Sequence, residues 1–143
     1  ELELPDGVKP SLFLSFETLE HLTDPLRFLH RLAQQGDAEN LLFTVPLQRR
    51  SRFGGHHLRT PDASDTPFTP ESLHIYEFSP ADWALLARFA GFRPRFTRFY
   101  RQCPTWPHPL AVTLPLWRHL DFEGFIAIFA ERDLALANRY TGW

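Results

Sequence analysis

The sequence predicts an α/β fold with a parallel sheet, on three observations. Leu12–Phe16 is a short run, apolar but for Ser15, as expected of a strand covered on both faces. A capped helical period follows it, and Leu41–Val45 is a second run of strand length. Strand, helix and strand within about 35 residues make a βαβ unit, which implies a right-handed crossover and parallel pairing.

Each element has its own signals. Asp24 is a natural N-cap with Pro25 at the first helical position; Leu26, Leu29 and Ala33 share one helix face, and Gly36 ends the helix. Pro46 stops the second strand. Residues 47–75 show no clear period and hold Arg49, Arg50, Arg52, Gly54-Gly55 and His56-His57, so they read as a long insertion leaving the carboxyl edge of the sheet. Ser79-Pro80-Ala81-Asp82 is a near capping box, followed by Trp83, Leu86, Ala87 and Ala90 at helical spacing and closed by Gly91. Phe92–Tyr100 and Gly124–Glu131 are expected strands. Residues 102–121 form a Pro- and Trp-rich connection between them, suited to covering a sheet edge.

With 143 residues, the chain is long enough for a single domain that buries about 68–70% of its unfolded surface. A hydrophobic content of 43% beside 22% charge is that of a globular protein, and no apolar run approaches the roughly 20 residues a membrane helix needs. Cys103 is the only cysteine, which excludes a disulfide framework and a cysteine zinc site and fits a cytoplasmic location. The net charge of −2 argues against a nucleic-acid protein, although the bases are 14 arginines to one lysine. There is no methionine, so Glu1 is not expected to be the natural start and the chain reads as a piece of a longer protein.

The most informative segment is Phe16-Glu17-Thr18-Leu19-Glu20-His21, directly after the first strand. Taken as helix, Glu17, Glu20 and His21 fall at i, i+3 and i+4 and converge on one side. The stretch "FETLEHLTDPLRFL" resembles the region around strand four of class I S-adenosylmethionine-dependent methyltransferases. "LLFTVP" looks like their strand five, and "HIYEFSPADWALLARFAGF" like the helix before strand six.

That resemblance, over Leu12 to Phe92 less the insertion, implies the carboxyl half of a Rossmann-like methyltransferase sheet. The sheet is then mostly parallel, with an antiparallel last strand. It also implies methyl transfer from S-adenosylmethionine to an O or N atom of a small-molecule acceptor. Ser15, Phe16 and Glu17 would line the cofactor junction. The family's Gly-rich turn is missing: the glycines lie at 7, 36, 54, 55, 91, 124 and 142, and no G-x-G occurs. The isolated chain is therefore expected to be inactive. A half-sheet would leave the first strand's edge open to a missing amino-terminal half or to self-association.

In relatives of the ubiquinone-biosynthesis O-methyltransferase type, Glu-x-x-Glu-His at this place is associated with a divalent metal. Glu17, Glu20 and His21 match it one for one, and such ligands suit Mg or Mn, or Zn. The same residues otherwise fix the turn or line the substrate site. His21 alternatively serves as general base, oriented by Glu20. His56, His57, Arg59 and His74 bracket the insertion and suit an anionic or phenolic substrate group, or else a solvated loop. Arg93 to Arg101 alternates base and aromatic, as single-stranded nucleic-acid binders do, and equally suits an amphipathic strand. A non-catalytic, methyltransferase-like interaction module is the alternative to an enzyme.

Overall fold

The computed structural model describes residues 10–35, 38–54, 74–101 and 124–143. Gly36, His56, His57, Arg59 and the 102–121 connection lie outside them. In chain order the elements are β1 (Leu12–Phe16), a 3-10 turn (Leu19–His21), α1 (Pro25–Gln35), β2 (Asn40–Pro46), β3 (Arg52–Phe53), β4 (Tyr76–Glu77), α2 (Pro80–Ala90), β5 (Phe92–Arg101), β6 (Gly124–Arg132) and a 3-10 turn (Ala137–Arg139).

The main sheet has the order β1-β2-β6-β5. β1 pairs β2 in parallel, Leu14 opposite Leu42, while β6 is antiparallel to both β2 and β5. The expectation of a mostly parallel sheet is therefore corrected. β1, β2 and β5 run the same way, but the reversed β6 enters between β2 and β5, so two of the three pairings are antiparallel. The last strand does run antiparallel. Pro94 sits on β5, at the sheet edge, beside a register shift at Pro94/Phe96, where a missing N–H costs no ladder bond.

A second ladder joins β3, inside the expected insertion, to β4, just past its end, with Arg52 opposite Glu77 and Phe53 opposite Tyr76. Ile75 N–H donates to the Glu20 carbonyl at 2.8 Å, which ties this hairpin to the turn after β1.

Both helices pack on one sheet face. Trp83 of α2 meets Phe43 of β2 at 6.2 Å between ring centres, and Phe28 of α1 meets Phe13 at 6.1 Å. Leu29, Ala33, Leu41, Phe43, Val45, Trp83, Ala87, Ile126 and Ile128 are fully buried between the layers. The opposite face presents Leu12, Leu14 and Phe16 from β1 and Phe96 and Tyr100 from β5, all at least 40% exposed. Phe129 and Phe125 of β6 stack there on Phe96 and Tyr100.

Local capping explains the helix limits. Asp24 Oδ1 accepts from the Arg27 N–H at 2.9 Å, and Arg132 Nε donates to the Ala33 carbonyl at 2.7 Å, closing the last turn of α1. Ser79 Oγ accepts from Asp82 N–H at 3.3 Å with Pro80 beginning α2. Gly91 ends α2 at φ 102, a conformation only glycine adopts readily, with its N–H on the Ala87 and Arg88 carbonyls. Ser51 and Ser79 hydroxyls hold the Asp82 carboxyl below its ordinary value. Ser79→Ala should lower stability by about 1 kcal/mol in chemical denaturation, and Ser79→Asn by less.

Arg93 pairs with Asp133, just past β6, and Arg95 with Glu131 on β6, so two arginines of the basic strand are engaged in ion pairs. Among the described residues no helix is long and apolar enough to cross a membrane.

Candidate functional site

Chemistry-bearing side chains gather at the carboxyl ends of β1 and β2. Glu17 follows β1 at φ 48, a left-handed conformation that costs a non-glycine residue roughly 1–2 kcal/mol. Two bonds hold it there: Glu17 N–H donates to the Thr44 carbonyl at 3.0 Å and approaches the Thr44 hydroxyl at 3.3 Å. Thr18 Oγ1 donates back to the Phe16 carbonyl at 2.9 Å. The chain thus reverses sharply into a single 3-10 turn, Leu19–His21. Glu17 is not on a helix with Glu20 and His21, as the sequence spacing suggested; it stands before the turn.

The strained turn directs Glu20 inward. Glu20 is 1% exposed, and among the described residues neither carboxylate oxygen has a hydrogen-bond partner. The His21 imidazole stands beside it, Nε2 3.8 Å from Oε1. Burial pushes the Glu20 carboxyl up to about 7; its own backbone opposes this and the nearby Glu17 charge adds to it. Burial also raises Glu17, against the Thr44 hydroxyl, the His74 and His21 imidazoles and the Tyr100 hydroxyl.

The third member arrives from far along the chain. The β3–β4 hairpin brings His74 to His21, ring centres 4.8 Å apart and edge to face. His74 Nδ1 lies 3.2 Å from Glu77 Oε1, and Glu77, itself buried, is gripped by Arg52 across the ladder. Tyr76 Oη donates to the Thr23 carbonyl at 2.9 Å and fixes the hairpin from its other side. Donor atoms of Glu20, His21 and His74 consequently lie within 4.8 Å of one another.

Ser15 and Phe16, also expected at the site, part to opposite faces of the sheet. Strand alternation sends Ser15 to the buried helix side and Phe16, 57% exposed, to the opposite face. His74, grouped by sequence with His56, His57 and Arg59, stands with Glu20 and His21, while those three lie outside the described residues. Arg52, Thr44, Glu77 and Tyr100 were not legible as site residues. Glu77 three residues after His74 was the available signal, but its pairing with Arg52 spans 25 residues. A shallow groove of about 680 Å³ along α1, lined by Leu22, Asp24, Arg27, Phe28 and Arg31 among others, is separate from this cluster.

No protein-family model matches the sequence, and no curated protein matches it. Solved structures do. The 1,6-didemethyltoxoflavin-N1-methyltransferase of Burkholderia thailandensis, solved with 1,6-didemethyltoxoflavin and S-adenosylhomocysteine, matches with a TM-score of 0.57 at 17% identity, over 92% of this chain and 47% of its own. A chain in complex with the Haloferax volcanii Trm112 methyltransferase activator matches at 0.56 and 12% identity, over 92% and 57%. An S-adenosylmethionine-dependent methyltransferase of Mesorhizobium loti matches at 0.52 and 16% identity, over 92% and 65%. The chain thus spans 47% to 65% of these proteins' lengths. At such identities the likeness is one of fold, and the chain carries a partial S-adenosylmethionine-dependent methyltransferase fold.

Proposed function

We propose that this chain is the carboxyl-terminal part of an S-adenosylmethionine-dependent methyltransferase that modifies an oxygen or nitrogen of a small molecule. The observation that carries the proposal is the group Glu17, Glu20, His21 and His74, gathered at the carboxyl ends of β1 and β2, where open α/β sheets bind ligands. The cofactor supplies a methyl group activated on a sulfonium. Glu17, with a buried oxygen lacking a partner among the described residues, suits a cationic or hydroxyl-bearing ligand, and Phe16 offers apolar surface. Ser15, turned under the helices, contributes through its backbone.

His21, backed by Glu20, takes the acceptor's proton as the acceptor forms its bond to the methyl carbon and the carbon–sulfur bond breaks. Positioning supplies most of the acceleration in such a displacement. His74, and with it His56, His57 and Arg59, is assigned to the acceptor side. The sequence holds no Gly-rich turn, so the chain alone should not turn over.

Calorimetric titration with S-adenosylhomocysteine tests this. Binding in the micromolar range, weakened roughly tenfold or more by Glu17→Ala through loss of a charge-assisted hydrogen bond, is the expected result. A flat titration would overturn the cofactor role of these residues.

A non-catalytic interaction module is the second function, favoured by the apolar face of Leu12, Leu14 and Phe16 beside the outer edge of β1. That edge and face suit a missing amino-terminal half or a second copy. Concentration-dependent mass in light scattering, without cofactor binding, would favour it.

A further inference from the structure

We propose that Arg88, Arg93 and Arg139 form a binding site for the phosphate group of a small molecule, at the end of the sheet opposite the Glu17 cluster. The three arginines line one hollow of about 260 Å³, together with Asp133, Ala135 and Leu136 among others. They come from three elements: Arg88 from the last turn of α2, Arg93 from the start of β5 and Arg139 from the closing 3-10 turn. Phe92 lies opposite Arg132, and Asn40 opposite Glu131, so the hollow sits by the amino ends of β2 and β5. β5 is also the edge strand farthest from β1. The site is therefore built by described residues alone and needs nothing joined at the outer edge of β1.

The charges in the hollow favour a dianion. Its one acid, Asp133, pairs with Arg93. The Asp133 carboxyl also accepts the Ala135 N–H at 3.0 Å, which holds it below its ordinary value and so ionised at neutral pH. Arg88 and Arg139 are exposed and have no ion-pair partner among the described residues. Two uncompensated guanidiniums remain, matching the charge of a phosphate monoester and the fork geometry its oxygens accept. Carbonyls at the end of α2 would otherwise repel an anion, but they are engaged. Gly91 N–H donates to the Ala87 and Arg88 carbonyls, and Asp133 N–H donates to that of Gly91 at 2.7 Å.

The neighbouring residues of β5 do not extend the hollow into a nucleic-acid track. Arg95 is held by Glu131, and Phe96 and Tyr100 already stack on Phe129 and Phe125. Of the basic run on that strand, only Arg93 lines the hollow, which suits one phosphate group and not a backbone tract.

The test uses the full chain at low salt, without any S-adenosyl compound, titrated calorimetrically with inorganic phosphate and with phenyl phosphate. One equivalent should bind at submillimolar concentration and weaken as salt is raised. Arg88→Gln and Arg139→Gln, both at exposed positions, should each weaken binding about tenfold through loss of a charge-assisted hydrogen bond. Asp133→Asn keeps an acceptor for the Ala135 N–H and removes the competing charge, so it should tighten binding severalfold. Arg27→Gln, the same change of charge on α1, should leave binding unaltered. Phenyl phosphate bound more tightly than inorganic phosphate would identify an organic ester as the ligand, and equal affinities would identify free phosphate; both support the site.

Failure of both probes to bind would overturn the proposal. So would an equal loss in Arg27→Gln, since net charge and not the hollow would then act. Single-stranded oligothymidine bound more tightly than either probe, with Arg98→Gln costing as much as Arg139→Gln, would also overturn it and assign these arginines to a nucleic-acid backbone. The titration with S-adenosylhomocysteine is independent of this result, because the two sites lie at opposite ends of the sheet.

Discussion

The protein should lose stability as pH rises from about 4.5 to about 7, and Glu20→Gln should remove most of that slope. The folded Glu20 carboxyl titrates near 7 and the unfolded one near 4.5, so across this window the native state binds more protons than the unfolded state. Stability therefore falls with rising pH there and is level on either side. The gap is worth roughly 3 kcal/mol at about 1.4 kcal/mol per pH unit. Glutamine matches glutamate in shape and carries no charge, so Glu20→Gln should be the more stable protein at pH 8 by up to that amount and nearly equal at pH 4.5. Burial raises Glu17 as well, so a smaller slope of the same sign should survive in the variant. Urea unfolding at a series of pH values decides it: a wild type that gains stability between pH 5 and 7 would refute the inward placement of Glu20.

Trp83→Ala should destabilise the fold by about 3–5 kcal/mol, a large share of the 5–15 kcal/mol typical of a domain. Trp83 is fully buried where α2 meets the sheet, 6.2 Å from Phe43 and 5.1 Å from Phe78 between ring centres. Phe78 contacts Tyr76, and Tyr76 contacts Phe53, so the aromatic series reaches from α2 into the hairpin that carries His74 and Glu77. Truncation should lower the melting temperature by about 10 °C and loosen that hairpin. The indole Nε1–H has no partner among the described residues. Trp83→Phe thus sacrifices volume but no hydrogen bond and should cost under about 2 kcal/mol. Equal losses for Ala and Phe would mean that the indole N–H, and not ring burial, carries the effect.

Glu20 and His21 were legible as site residues because they follow an apolar strand directly, and a strand's carboxyl end is a known place for ligands. His74 was legible only as a polar residue at the edge of an insertion, and nothing local indicated which group it would meet. Its position depends on Ile75 bonding to Glu20, across 55 residues, and on Arg52 lying opposite Glu77. Glu17 was read as helical because spacing alone suits it; the competing factor was β1–β2 pairing, which carries on through Glu17 N–H to the Thr44 carbonyl and leaves the chain to turn at positive φ.

By itself the sequence determined the parts whose interactions close within a few residues. Asp24 with Pro25, and Ser79 with Pro80, start the helices because their side chains reach N–H groups three positions on, and Gly91 stops one because it alone tolerates the required φ. Apolar runs marked β1, β2 and β6 because core strands must shed water on both sides or alternate faces. Only the tertiary structure decided that β6 enters between β2 and β5 and turns most pairings antiparallel, since hydrophobic content specifies that a strand is buried but not which neighbours it takes. The same holds for the site: periodicity can align residues one helical turn apart, whereas bringing His74 beside Glu20 needs the β3–β4 ladder, the Arg52–Glu77 ion pair and an aromatic series, all made between residues far apart in sequence.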